Sequence, residues 1–175
     1  MKQVTTILAI LVGFTMNGQW SYNSNNTGVQ ASTCTASGSY STAMGYGTNA
    51  SGDYSTAMGR STAASALYST AMGYGTDASG YFSTAMGSST TASALYSTAM
   101  GDGTIASGSR STAMGSYTTA SDYASLSIGR YNSVNSTVTA GGSATSFDTD
   151  NAAFVIGNGT GSSTKSDAFV VYFNG

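Results

Sequence analysis

The pentapeptide Ser-Thr-Ala-Met-Gly begins at Ser41, Ser55, Ser69, Ser83, Ser97 and Ser111, with a spacing of 14 residues every time and no insertion. A drifted seventh copy follows as Ser125-Leu126-Ser127-Ile128-Gly129. Between these copies runs a second phased motif, Thr-x-Ala-Ser. Its Thr column is Thr48, Thr62, Thr76, Thr90, Thr104 and Thr118, and its Ala column runs from Ala36 to Ala120. Counting back from Thr48 lands on Cys34, so the array begins near residue 27 with an imperfect coil. Helical repeats run from about 33 residues upward, whereas β-solenoid coils are much shorter. The period therefore predicts an all-β chain in which each 14-residue unit is one coil of a parallel β-solenoid.

Each unit holds two extended stretches of about five residues, each followed by a corner. Gly45, Gly59, Gly73, Gly87, Gly101, Gly115 and Gly129 mark one corner after every pentapeptide, where a positive φ is expected. A weaker alternation lies on top: Gly47, Gly75 and Gly103 alternate with Ser61 and Ser89, and Gly52, Gly80 and Gly108 alternate with Ala66 and Ala94. Two alternating corner types follow from it. Coils pairing at roughly 4.8 Å would build a rod of about 34 Å from the repeats.

Side-chain direction follows from the period of two in a strand. Ser and Ala of the pentapeptide point one way, Thr and Met the other. Large aliphatics are scarce between Trp20 and Phe147, so the roll must be thin and filled with small residues. Ser and Ala then face inward and meet Thr and Ala of the second strand. Thr42, Thr56, Thr70, Thr84, Thr98 and Thr112 become an external row beside Met44, Met58, Met72, Met86, Met100 and Met114, with Leu126 and Ile128 continuing the two rows. Such an apolar strip is of the kind soluble monomers avoid, and identical faces of other copies would cover it. The alternative places Met inside the roll and Ala outside, which gives a monomer with its own core.

Residues 1–19 read as a cleaved signal peptide: Lys2 precedes an apolar run from Val4 to Met16, and Asn17-Gly18-Gln19 offers a cutting site. A retained N-terminal anchor is the rival reading. The run is short of the about 20 apolar residues that span a bilayer, so the mature chain itself is expected to make no membrane contact. Residues 20–132 are then the β-roll repeats and 133–150 a Ser/Thr/Gly-rich linker. Residues 151–175 form a strand pair, with Ala152–Ile156 and Ala168–Phe173 as strands and Gly157-Asn158-Gly159 as turn chemistry. This hairpin caps or extends the solenoid. The chain stops directly after an apolar strand, which reads as a cut end.

Catalytic chemistry finds little to work with. The sequence holds no His and seven Asp with no Glu, which removes the commonest general base and many metal sites. Asp148, Asp150 and Asn151 fail the calcium-loop pattern at its Gly and Glu positions and read as a solvated loop. Gly157-Asn158-Gly159 lacks the Lys of a phosphate loop. Five basic residues and a net charge of −2 make nucleic acid an unsuitable partner. Cys34, the single cysteine, takes a Thr position and reads as a small buried thiol. The expectation is a non-enzyme without cofactor or metal.

Ser-Thr-Ala-Met-Gly followed by Thr-x-Ala-Ser at this period resembles the head repeats of trimeric autotransporter adhesins, whose YadA-like form reads Asn-Ser-Val-Ala-Ile-Gly. The resemblance covers residues 27–132, and Ser125-Leu126-Ser127-Ile128-Gly129 comes nearest to the family form. It implies a left-handed parallel β-roll, a homotrimer with Thr56, Met58 and their equivalents toward the threefold axis, and a bacterial cell-surface location. Extracellular matrix or a host surface protein is the partner implied. Thr replaces Val at the second motif position, which makes that interface more polar. No heptad stalk pattern or set of barrel strands occurs, so outer-membrane attachment is implied by the family only. The tail from Phe154 to Thr160 is similar to segments that follow such repeats in long surface and fibre-like proteins.

Three functions compete. An adhesin head would use many weak, repeated contacts for attachment. An ice-binding solenoid would use the Thr42-to-Thr112 row as a free face in a monomer. A fibre-type trimeric fragment is third, and the leader-like N-terminus argues against it.

Overall fold

The computed structural model describes residues 33–175, together with the backbone of two earlier strands; the leader expected at 1–19 lies outside the described residues. Two sheets run along the repeats. The long sheet contains β1 (Trp20–Tyr22), β2 (Val29–Ala31), β4 (Thr42–Tyr46), β6 (Thr56–Arg60), β8 (Thr70–Tyr74), β10 (Thr84–Ser88), β12 (Thr98–Asp102), β14 (Thr112–Ser116), β16 (Leu126–Arg130), β17 (Ala152–Asn158) and β18 (Asp167–Tyr172). The short sheet contains β3 (Thr35–Ala36), β5 (Asn49–Ala50), β7 (Ala63–Ala64), β9 (Asp77–Ala78), β11 (Thr91–Ala92), β13 (Ile105–Ala106) and β15 (Thr119–Ala120). From β3 to β16 the chain alternates between the two sheets, so each 14-residue unit is one coil. No helix occurs among the described residues.

Neighbouring coils pair in parallel and in register, like on like: Thr84 with Thr98, Ala85 with Ala99, Met86 with Met100, Gly87 with Gly101. The core is correspondingly uniform. Ala43, Ala57, Ala71, Ala85, Ala99 and Ala113 of the long strands are fully buried, as are Ala50 to Ala120 of the short ones. The Ser41-to-Ser125 and Thr48-to-Thr118 columns are also inside. Small residues therefore fill the roll, and Thr and Met of the pentapeptide lie on its outer side with Met half-buried or exposed. The alternative with Met indoors does not hold. Cys34 continues the inner Thr column, buried, with its Sγ 3.2 Å from the Gly45 carbonyl oxygen.

Two details depart from the sequence expectation. The second stretch forms only two residues of strand rather than about five. After Ala50 the Ser51 and Gly52 N–H groups both donate to the Ala64 carbonyl of the next coil, which turns the chain out of extension at once. The pentapeptide glycine is not the corner either. It is the fourth residue of the long strand, at φ of 119–124° from Gly45 to Gly115. A Cβ there would lie 1.9–2.1 Å from the carbonyl oxygen of the equivalent glycine one coil on. The corner follows two residues later, where Gly47, Ser61, Gly75, Ser89 and Gly103 share one left-handed conformation with φ of 53–62°. Glycine and serine here are two solutions to a single turn.

At the C-terminal end the long sheet continues without a matching short strand. β17 pairs in parallel with β16, setting Leu126 beside Phe154, Ile128 beside Ile156 and Gly129 beside Gly157. β18 then closes the edge antiparallel to β17. The hairpin thus extends the solenoid. Residues 133–150, which carry no strand, lie over the end of the short sheet. Asn132 accepts from the Thr119 N–H at 2.7 Å and donates to its carbonyl at 2.8 Å, as a neighbouring strand would. Asn135 accepts from the Ser121 and Asp122 N–H groups. The buried Asp122 carboxylate accepts from Thr139 N–H and hydroxyl and from Ala152 N–H at 2.6–2.7 Å.

The glycine columns give a paired test. Gly73→Ala should destabilise the protein by about 3 kcal/mol or more, because backbone must move to admit the methyl. Gly75→Ser should change stability by less than about 1 kcal/mol, since the next coil already carries Ser89 in that conformation. Urea unfolding followed by circular dichroism would measure both.

Candidate interaction face

All fourteen residues of the expected interface row lie on the outer side of the long sheet. Thr42 to Thr112 form one line and Met44 to Met114 the next, each residue directly beside its equivalent in the neighbouring coil. Leu126 and Ile128 continue the two lines in β16. Alternation along each strand explains the placement: the Ala between Thr and Met is fully buried, so its neighbours face out.

The register carries both lines further than the repeat does. In β17 the Thr and Met positions are taken by Phe154 and Ile156, and in β18 Val171 and Phe169 stand beside them. Phe154 and Phe169 meet edge to face with centroids 6.1 Å apart. The face therefore grows more apolar toward the C-terminal end, from Thr/Met through Leu/Ile to Phe/Ile and Val/Phe. Those last four residues were missed by the sequence reading. Their signal is Phe-Val-Ile-Gly beginning 28 residues after Leu126, twice the repeat, with its Gly157 under Gly129.

The opposite face is polar. Ser51, Ser65, Ser79 and Ser93 are exposed directly after the short strands, beside the varied row Asn49, Ala63, Asp77, Thr91, Ile105 and Thr119. No three His, Cys, Asp or Glu side chains gather at a metal-sized site among the described residues.

The two edges of the roll carry aromatic columns. Just before each pentapeptide serine stand Tyr40, Tyr54, Tyr68, Phe82 and Tyr96, stacked with centroids 4.8–5.2 Å apart and planes within 14–16°. All five have left-handed backbones with φ of 56–58°, a region that costs a bulky residue roughly 1–2 kcal/mol. Stacking offsets this by about 0.5–1.5 kcal/mol per pair. Arg110 ends the ladder, its guanidinium 5.6 Å from the Tyr96 ring and 5.2 Å from that of Tyr123, whose hydroxyl accepts from Nη1 at 2.8 Å. On the other edge Arg60 lies over Tyr74, and Tyr117 stacks on Tyr131. The ladder was readable at the 14-residue phase, but an aromatic was not the residue to seek at a left-handed corner.

Residues 36–62, 50–76, 78–104 and 106–132 each match the YadA head domain repeat in two copies. These matches cover more than half of the chain. The chain belongs to the YadA head repeat family. Each match opens on an inward Ala of the short sheet, at Ala36, Ala50, Ala78 and Ala106, and closes on the inner Thr column or on Asn132 at its end. The YadA head repeat is a structural adhesin module and not an enzyme family. No curated protein matches the chain.

The aromatic ladder of this YadA-type head sets stacking against backbone strain, and two substitutions separate them. Tyr68→Ala loses two ring contacts and keeps a left-handed non-glycine residue; Tyr68→Gly loses the contacts but removes the strain. The glycine variant should be the more stable of the two by about 1 kcal/mol, as judged by urea midpoints.

Proposed function

We propose that the protein is the head of a surface adhesin. In this reading three copies pack their Thr/Met faces around a threefold axis and attach by many repeated contacts. The observation that carries the reading is the outer face of the long sheet, which sets an apolar side chain in every coil and grows more apolar toward β18. Burial against identical copies removes that strip from water. The Thr line makes the interface more polar than a Val line would. Residues 1–19 serve as a cleaved leader, 20–132 form the head repeats, 133–150 a linker folded against the last coil, and 151–175 the terminal strand pair. Extracellular matrix or a host surface protein is the partner class the family supports, reached from the exterior of a bacterial cell.

The outward Thr line keeps the ice-binding reading in view, since a monomer would present it to water. Cross-linking separates the two. In a Cys34→Thr background, Met86→Cys treated with a short bis-maleimide should give two- and three-chain bands on a denaturing gel. Ser79→Cys, on the opposite face, should remain a single chain. Single chains from both would overturn the assembly. The cross-linkable head should also leave immobilised matrix protein at least about tenfold more slowly than a dissociated Met86→Asp variant, as multivalent attachment requires.

A further inference from the structure

We propose that the stacked tyrosines are oxidative cross-linking sites, at which neighbouring coils become joined by dityrosine within one chain. Tyr40, Tyr54 and Tyr68 follow one another with centroids 5.2 and 5.0 Å apart and planes 14° and 16° from parallel. Near the other end of the coil stack, on the opposite edge, Tyr117 and Tyr131 are 4.8 Å apart with planes 1° from parallel. A one-electron oxidant can reach these phenols: Tyr40 is 63%, Tyr54 49%, Tyr68 46% and Tyr117 47% exposed.

Parallel, in-register coils hold equivalent residues roughly 4.8 Å apart, and near-parallel stacking brings neighbouring phenol rings to that same spacing. A modest lean of both rings brings the carbons ortho to the hydroxyls together. Each phenol loses one electron and its hydroxyl proton, giving a phenoxyl radical with spin on the ortho carbons. Two radicals couple through an ortho–ortho C–C bond, and loss of the two ortho protons to the hydroxyl oxygens restores both phenols. The pair has lost two hydrogen atoms. Hydrogen peroxide, acting through a peroxidase, accepts them and is reduced to two water molecules.

The sequence restricts where this happens. Phe82 stands between Tyr68 and Tyr96 and forms no phenoxyl radical, and Arg110 occupies the next position, so Tyr96 has no tyrosine neighbour in its column. Tyr46 and Tyr74 are separated by Arg60. The joined pairs are thus Tyr40–Tyr54, Tyr54–Tyr68 and Tyr117–Tyr131. They lie toward the two ends of the repeat stack. Bulky residues held at left-handed corners are also an outlier that calls for a role beyond the turn itself.

The test treats the purified full chain with peroxidase and hydrogen peroxide, using an equal mixture of unlabelled and 15N-labelled protein. Dityrosine fluorescence and mass spectrometry of the digested product give the readout. Cross-links should join the three named pairs, lack two hydrogens, and carry a single isotope label. Tyr54→Phe, which keeps the ring stack, should abolish the first two pairs and spare Tyr117–Tyr131. Phe82→Tyr should add cross-links from position 82 to Tyr68 and Tyr96. Products of mixed label, coupling spread evenly over Tyr46, Tyr74 and Tyr81, or no dityrosine would each overturn the proposal.

Discussion

Two columns of alanine meet across the interior of this protein, one from the long strands and one from the short. Only small side chains lie between the sheets in the repeats, the alanine methyls together with the serine and threonine columns and Cys34. Everything bulky must then point outward or sit at an edge. Each buried methyl contributes about 0.8 kcal/mol, and ordering one residue's backbone costs about 1–2 kcal/mol, so the interior cannot stabilise a coil of fourteen residues unaided. The stacked backbone ladders and the edge aromatics supply part of the rest, and the proposed covering of the outer face by other copies would add to it.

That thin interior makes the stacking direction unforgiving. Coils repeat in register, so any misfit recurs along the rod. The pentapeptide glycine shows this most sharply: its missing side chain makes room for the carbonyl of the glycine one coil away, six times over. The same repetition turns single contacts into columns, and the aromatic ladder is the outer counterpart of the alanine core. At the C-terminal end, where repetition stops, the short sheet would expose its backbone groups. Asn132 and Asn135 satisfy them with side chains in place of another coil, while the Asp122 carboxylate ties Thr139 and Ala152 to that end. This protects the end against pairing with foreign strands, while the long sheet goes on to β18.

The parts of the fold that depend on one coil were legible from the residues. The inward turn of Ala43 and its equivalents followed from alternation and residue size, and the parallel stacking from the unbroken 14-residue period. Properties that depend on two coils were harder to read. A glycine at position 73 announces an unusual backbone but not that the Gly87 carbonyl is the cause. The two-residue length of β5 results from a bond donated to the next coil. Phe154 and Ile156 were placed in a strand but not on the outer face, because that strand stacks as the next long strand although two repeat lengths of chain separate it from β16. Within the candidate face, the Thr and Met lines were therefore readable and their C-terminal continuation was not.

The outer face is where the interior's thinness bears on the proposed function, because one roll leaves the Thr/Met strip outside and the proposed trimer would bury it. The most direct measurement is the molar mass of the mature protein by light scattering on a sizing column. The account predicts three times the mass of one chain, held on dilution to low micromolar concentration. A homogeneous single chain that keeps its β circular dichroism would contradict it, because the Thr/Met face would then be stable in water without a partner.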